Sequence, residues 1–319
     1  MFSARGKSCK KIRTTNTDRE KNKGISIENP AEKVYPCNMK ADDNLKPRLL
    51  ALDLDDTLLR SDLSISHRIR SAIKRTEAAG VTVVLASGRI PSAMEQFSKL
   101  LGLNKRPGYL VSNNGALIQE SNTGKIIHEA KINRKTVLAV CDLADAEGFP
   151  VQMYDGDILY VSRQNEFSSL EEKLSGMRQV VVENFRAMVG EGCYKLVIPG
   201  EPKLLIHVEK IIKAYFEDDI TLFNGRRSFL ELMSKGTDKG SALAKIAKTA
   251  GIKPSEAVAI GDSSNDEAMI RWAGIGVAMA NSDERIKSIA DFITDGTNDE
   301  DGVAEVIEKY FLEPVLKIV

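Results

Sequence analysis

The chain has 319 residues, enough for roughly two domains at about 150 residues each. Its hydrophobic fraction of 42% and charged fraction of 28% are ordinary for a globular protein. No apolar run approaches the roughly 18 residues that a membrane-spanning helix needs. Lys plus Arg equals Asp plus Glu at 45 each, and zero net charge argues against a dedicated nucleic-acid binder.

The even balance hides an asymmetry, because residues 1–47 carry 11 basic and 6 acidic side chains. Residues 1–46 are rich in Lys, Asn, Thr and Ser and lack apolar periodicity, so they read as a disordered basic tail. Two other readings stay open. The first 17 residues are basic and free of acids, as in an organelle transit peptide, and translation starting at Met39 is the third reading. No apolar segment of a secretory signal is present. The cysteines Cys9, Cys37, Cys141 and Cys193 form no close pair of the metal or redox kind, which points to a reducing, cytoplasmic compartment.

From Arg48 the pattern sharpens. The apolar runs at 49–54 and 81–86 read as buried strands, with a helix at 66–79 between them, closed by Gly80. Further strands are expected at 109–112, 257–260, 275–279 and 292–294, and helices at 238–250 and 264–273. Alternating strands and helices imply a doubly wound, Rossmann-like parallel sheet, α/β in class. Such sheets bind ligands beyond the carboxyl ends of their strands.

Four polar clusters fall at those ends. Asp53-Leu54-Asp55-Asp56-Thr57 places two acids at i and i+2 after a strand, where close carboxylates call for a cation or a shared proton; Mg²⁺ suits hard oxygen ligands. Ser87-Gly88-Arg89 offers a hydroxyl and free backbone N–H groups at the start of a helix, an anion site. Lys239 opens a helix, an unfavourable place for a cation unless it faces an anion. Gly261-Asp262-Ser263-Ser264-Asn265-Asp266 adds two acids and an amide. Each cluster alone reads equally well as a capped or solvated turn. Together they supply a Mg²⁺-assisted phosphoryl-transfer site.

The order and type of these motifs resemble the haloacid dehalogenase-like hydrolase superfamily and, within it, the Cof-type phosphatases. Asp53–Leu58, Val84–Arg89, Lys239-Gly240 and Gly261–Asp266 match its four motifs, and Ser112–Ala116 and Asp301–Ala304 match further Cof-type landmarks. The resemblance implies a phosphatase of small phosphorylated metabolites acting through an aspartyl-phosphate. Sugar phosphates come first as substrates, and flavin mononucleotide or pyridoxal phosphate fits the same motifs. Asp53 would be the nucleophile, and Asp55 the general acid and then base, its proton held by neighbouring carboxylates. Thr57 would fix the loop, and Ser87, Gly88, Lys239 and Asn265 would hold the phosphoryl group. Mg²⁺ would be bound by Asp53, the Asp55 carbonyl and Asp262, with Asp266 supporting the metal shell or orienting Lys239. The alternatives are a phosphomutase or a dedicated glycoside-phosphate phosphatase on the same scaffold, and more remotely a receiver-type phosphoacceptor module.

Spacing gives the domain plan. Ser87 and Lys239 lie 152 residues apart, far more than one crossover needs. The surplus reads as an inserted α/β cap at 131–230, between core segments 47–130 and 231–319. Cap helices are expected at 135–146 and 203–215 and cap strands at 151–153, 159–161 and 194–198. No nucleic-acid or membrane partner is expected, and the oligomeric state stays open.

Overall fold

The computed structural model describes residues 47–175, 177–224 and 228–312. The expected basic tail at 1–46, with Cys9, Cys37 and Met39, lies outside the described residues. In chain order the strands are β1 (Leu49–Leu52), β2 (Thr82–Ala86), β3 (Tyr109–Ser112), β4 (Leu117–Glu120), β5 (Ile126–Glu129), β6 (Ile132–Asn133), β7 (Gln152–Asp155) and β8 (Ile158–Val161). They continue as β9 (Arg178–Val181), β10 (Gly192–Cys193), β11 (Leu196–Pro199), β12 (Ile220–Asn224), β13 (Phe229–Ser234), β14 (Ala257–Gly261), β15 (Ile275–Ala278) and β16 (Phe292–Ile293).

Eight of them form the first sheet, ordered β16-β15-β14-β1-β2-β3-β4-β5. Its first six strands are parallel, and β4 and β5 add an antiparallel edge. The period-two alternation of β1 and β2 explains the double winding. Leu50, Leu52, Val83 and Leu85 meet Ile69 and Ile73 of the helix His67–Ala78 on one face. Leu49, Ala51 and Val84 meet Leu243 and Ile246 of the helix Lys239–Ala250 on the other. Burying each such Leu or Ile contributes roughly 1.5–3 kcal/mol, so both faces hold the central strands rigidly under the loops at their ends.

The second sheet runs β12-β13-β11-β7-β8-β9 and is antiparallel except for the β8–β9 pair. The helices Arg134–Ala146 and Pro202–Phe216 cover one face, with Val137, Val140, Val208 and Ile212 packed on Leu230 and Leu232. A separate two-stranded antiparallel ribbon pairs β6 with β10, Ile132 beside Cys193 and Asn133 beside Gly192. β13 carries the second sheet to Ser234, past the boundary expected at residue 230, because its alternating apolar residues run on until Gly236 turns the chain with φ 71°. Strands β9 and β12 lie at the two edges of this sheet, where half-exposed residues blur the apolar pattern, and neither was expected from sequence.

Cys141 and Cys193 are free and buried in the hydrophobic core of the second sheet and its helices, and burial pushes both thiols up to about 12. They are packing groups rather than nucleophiles. No helix of the described residues is long and apolar enough to cross a membrane.

Candidate active site

β1 ends at Leu52, and Asp53 emerges between the tips of its neighbours, its N–H donating to the Ile260 carbonyl at 3.0 Å. The chain then coils tightly from Leu54 to Leu58. Leu54 and Leu58 are buried beneath, and Asp56 takes φ 56°, a left-handed conformation that Asp tolerates better than most residues. The coil aims Asp53 and Asp55 into one cavity of about 280 Å³, which Ser87, Gly88, Asp262 and Asn265 also line.

Three further residues of the expected set lie beneath the cavity floor rather than in it. Thr57, Lys239 and Asp266 are fully buried. The Thr57 hydroxyl donates to Asp262 Oδ1 at 2.8 Å and so ties the first motif's loop to that carboxylate. Lys239 Nζ donates to Asp53 Oδ1 at 2.5 Å and Asp266 Oδ1 at 2.6 Å, so its charge bears on the Asp53 carboxylate that faces the cavity. Asp266 Oδ2 accepts from the N–H groups of Asp262 and Ser263, which folds the fourth motif around it. Gly261 is required there, because a Cβ would meet the Asp266 Cβ at 2.5 Å.

Carboxylate oxygens of Asp53, Asp262 and Asp266 lie within 4.8 Å of one another. Burial, then Asp266, holds the Asp53 carboxyl well above the usual carboxylate range against the pull of Lys239. Asp262 is pushed up to about 7 by burial and by Asp266, with the Thr57 hydrogen bond opposing. Burial by itself would lower the Lys239 ammonium, but Asp266 and Asp53 outweigh it and hold it above the ordinary lysine value. Three acids thus face one buried cation, and the carboxylates of Asp53 and Asp262, which line the cavity, fit a further hard divalent ion such as Mg²⁺.

Asp55 sits differently from expectation. Its carboxylate is gripped by Arg89, with Nε to Oδ2 at 2.9 Å and Nη2 to Oδ1 at 2.6 Å. Bidentate pairing of this kind fixes the carboxylate's direction as well as its charge. Arg89 stacks in turn on Phe97, its guanidinium carbon 5.5 Å from the ring centroid. Ser87 Oγ accepts from the Arg89 N–H at 3.1 Å, which closes the turn around Gly88.

Sequence reasoning passed over three further residues. Asn114, buried at φ 52°, accepts from Asn265 Nδ2 at 3.0 Å and donates to Glu231 Oε2 at 3.0 Å. Its neighbour Gly115, at φ 105°, lets Asp238 at the start of the Lys239 helix pack against it, since a Cβ would meet the Asp238 carbonyl oxygen at 2.4 Å. Glu231 and Lys195 reach in from the second sheet, and Lys195 Nζ donates to the Gly88 carbonyl at 3.0 Å. The Asn113-Asn114-Gly115 run was visible as a landmark without a role. Glu231 in β13 and Lys195 just before β11 stand 36 residues apart and give no local signal.

The haloacid dehalogenase-like hydrolase profile matches residues 50–307, and the chain belongs to that family. It is 30% identical over 272 residues to the putative phosphatase YxeH of Bacillus subtilis, covering 83% of this chain and 98% of that protein. It is 29% identical over 265 residues to the 5-amino-6-(5-phospho-D-ribitylamino)uracil phosphatase YcsE of the same organism, covering 83% and 96%. The crystal structure of a haloacid dehalogenase-like hydrolase from Bacteroides thetaiotaomicron superposes with a TM-score of 0.77 at 34% identity, covering 83% of this chain and all of that one.

Proposed function

We propose that this enzyme, a phosphoric monoester hydrolase of small phosphorylated substrates, works through an aspartyl-phosphate on Asp53 and requires Mg²⁺. The observation that carries the reading is the placing of Asp53: it faces the cavity from a strand tip, with one carboxylate oxygen neutralised by buried Lys239. The second oxygen attacks phosphorus and the ester P–O bond breaks. Asp55, at the cavity wall, delivers a proton to the departing alkoxide. Water then attacks phosphorus, Asp55 takes its proton, and the acyl P–O bond breaks to give orthophosphate and the free Asp53 carboxylate.

Arg89 bears on this cycle. Phosphoryl oxygens that compete for Arg89 relieve its pairing with Asp55, which then takes up a proton from solvent, passes it to the leaving group and regains one from the attacking water. The Ser87 hydroxyl and Gly88 N–H lie where they can bind those oxygens, and Asn265 borders the same space. Asp53, the Asp55 carbonyl and Asp262 would hold Mg²⁺. Asp266, its oxygens engaged by Lys239 and by two backbone N–H groups, would orient Lys239 instead of ligating. When bound, the ion supplies Lewis-acid neutralisation of the phosphoryl charge.

We further read residues 131–234 as a cap that closes over the core segments and excludes water. Sugar phosphates are the first substrates to try, then flavin mononucleotide, pyridoxal phosphate and the ribityl pyrimidine phosphate that names the YcsE relative. A cytoplasmic location agrees with the free thiols of Cys141 and Cys193. The test is orthophosphate release from such a panel by metal-stripped protein with and without Mg²⁺. Release only with Mg²⁺ supports the reading; no release from any ester, or an isomeric phosphate as product, refutes it.

A further inference from the structure

The face of the second sheet opposite its helices carries a charged pair, Glu231 of β13 and Lys195 just before β11. β13 turns Leu230 and Leu232 into the helix-covered core, and alternation sends Phe229 and Glu231 the other way. The strand register sets Phe223 of β12 and Val197 of β11 directly beside Glu231. Lys195 Nζ donates to Glu231 Oε1 at 3.3 Å and lies 4.6 Å above the Tyr154 ring. Lys195, Glu231, Tyr154, Phe223 and Phe229 all line the cavity that holds Asp53.

An ionised carboxylate offers about four acceptor positions and an ammonium three donors. Glu231 gives one position to Lys195 and one to Asn114, and Lys195 gives one donor each to Glu231 and Gly88. Acceptor capacity on Glu231 and a donor on Lys195 are therefore left over at the cavity. Two apolar residues of like volume would hold the sheet in place at least as well, so an ion pair here suits recognition better than stability. A bare carboxylate repels a phosphoryl dianion. The natural partner of Glu231 is therefore the leaving alcohol, and a hydroxyl can donate to Glu231 while accepting from Lys195. Because Lys195 also holds the Gly88 carbonyl, that hydroxyl sits close to the ester being cleaved.

We propose that Lys195 and Glu231 form a hydroxyl-reading subsite, by which the enzyme selects phosphate monoesters whose alcohol carries a second hydroxyl near the ester carbon. Phe223, Phe229 and Tyr154 supply the apolar wall for the carbon skeleton of that alcohol. The proposal rests on the phosphatase reading above.

The test compares glycerol 1-phosphate with propyl phosphate, which lacks the extra hydroxyls. The wild-type enzyme favours glycerol 1-phosphate in kcat/KM by roughly 10- to 100-fold, the range for a hydrogen bond to a charged group. That ratio needs no variant. Glu231→Gln keeps the side chain's volume and an oxygen for Asn114, and Lys195→Gln removes the donor charge; each brings the ratio toward one. A wild-type ratio near one overturns the proposal. So do variants that slow both esters by the same factor, because the pair then only ties the two sheets together. A wild-type enzyme that releases phosphate from neither ester nor from p-nitrophenyl phosphate overturns the phosphatase reading itself.

Discussion

At and beneath the floor of the cavity, Asp53, Lys239 and Asp266 form a buried charge cluster at the ends of parallel strands and the start of the helix Lys239–Ala250. In the opposite wall, Lys195 and Glu231 meet across a more exposed antiparallel sheet, with Glu231 still 17% accessible along its side chain. The floor's charges are paired with one another and leave one Asp53 oxygen for phosphorus; the wall's keep hydrogen-bonding capacity for the alcohol. The difference separates two tasks. Chemistry on the phosphoryl group, shared by every substrate, needs preorganised charge in a dry setting. Choice among alcohols needs polar groups that are held but not exhausted.

Substitutions in the floor test the first half of that contrast. Asp53→Asn is expected to cut p-nitrophenyl phosphate turnover by about 10⁴-fold or more while circular dichroism stays native, since Lys239 keeps Asp266 as a partner. Lys239→Met leaves two buried carboxylates without their cation. It should lower unfolding stability by about 3–5 kcal/mol in urea titrations and abolish most activity. Native-like stability in this variant would show that the cluster is not energetically coupled.

Asp55→Asn separates acid catalysis from phosphoryl transfer. Alkyl phosphates should lose about 10²- to 10³-fold in kcat, and aryl phosphates, whose leaving group needs less protonation, clearly less. Equal losses would remove Asp55 from the acid role. The smallest effect is expected at Thr57→Val, which frees Asp262 Oδ1 from its hydrogen bond. The Mg²⁺ concentration for half-maximal activity should rise about tenfold with little change at saturation. EDTA treatment followed by Mg²⁺ titration reads this directly.

The floor was legible in the sequence because each of its motifs is short and contiguous and sits at a strand end. The acids of Asp53–Thr57 and Gly261–Asp266 follow apolar runs that β1 and β14 explain, and Lys239 follows a turn marked by Gly236. The depth of each residue was not legible. Whether Thr57 and Lys239 point into the cavity or under it depends on how the Leu54–Leu58 coil packs, and composition carries no trace of that. The Arg89–Asp55 pairing joins residues 34 apart, and Lys195–Glu231 depends on antiparallel register within the second sheet. Such pairs become visible only once the strands are aligned.

The central step of the proposed reaction is a covalent bond between phosphorus and the Asp53 side chain. Enzyme mixed rapidly with substrate and Mg²⁺, quenched in acid and reduced with borohydride, should yield a peptide in which residue 53 has become homoserine. The same peptide from enzyme without substrate should keep its aspartate. An unmodified residue 53 alongside a measured burst of alcohol release, or homoserine at another position, would contradict the mechanism.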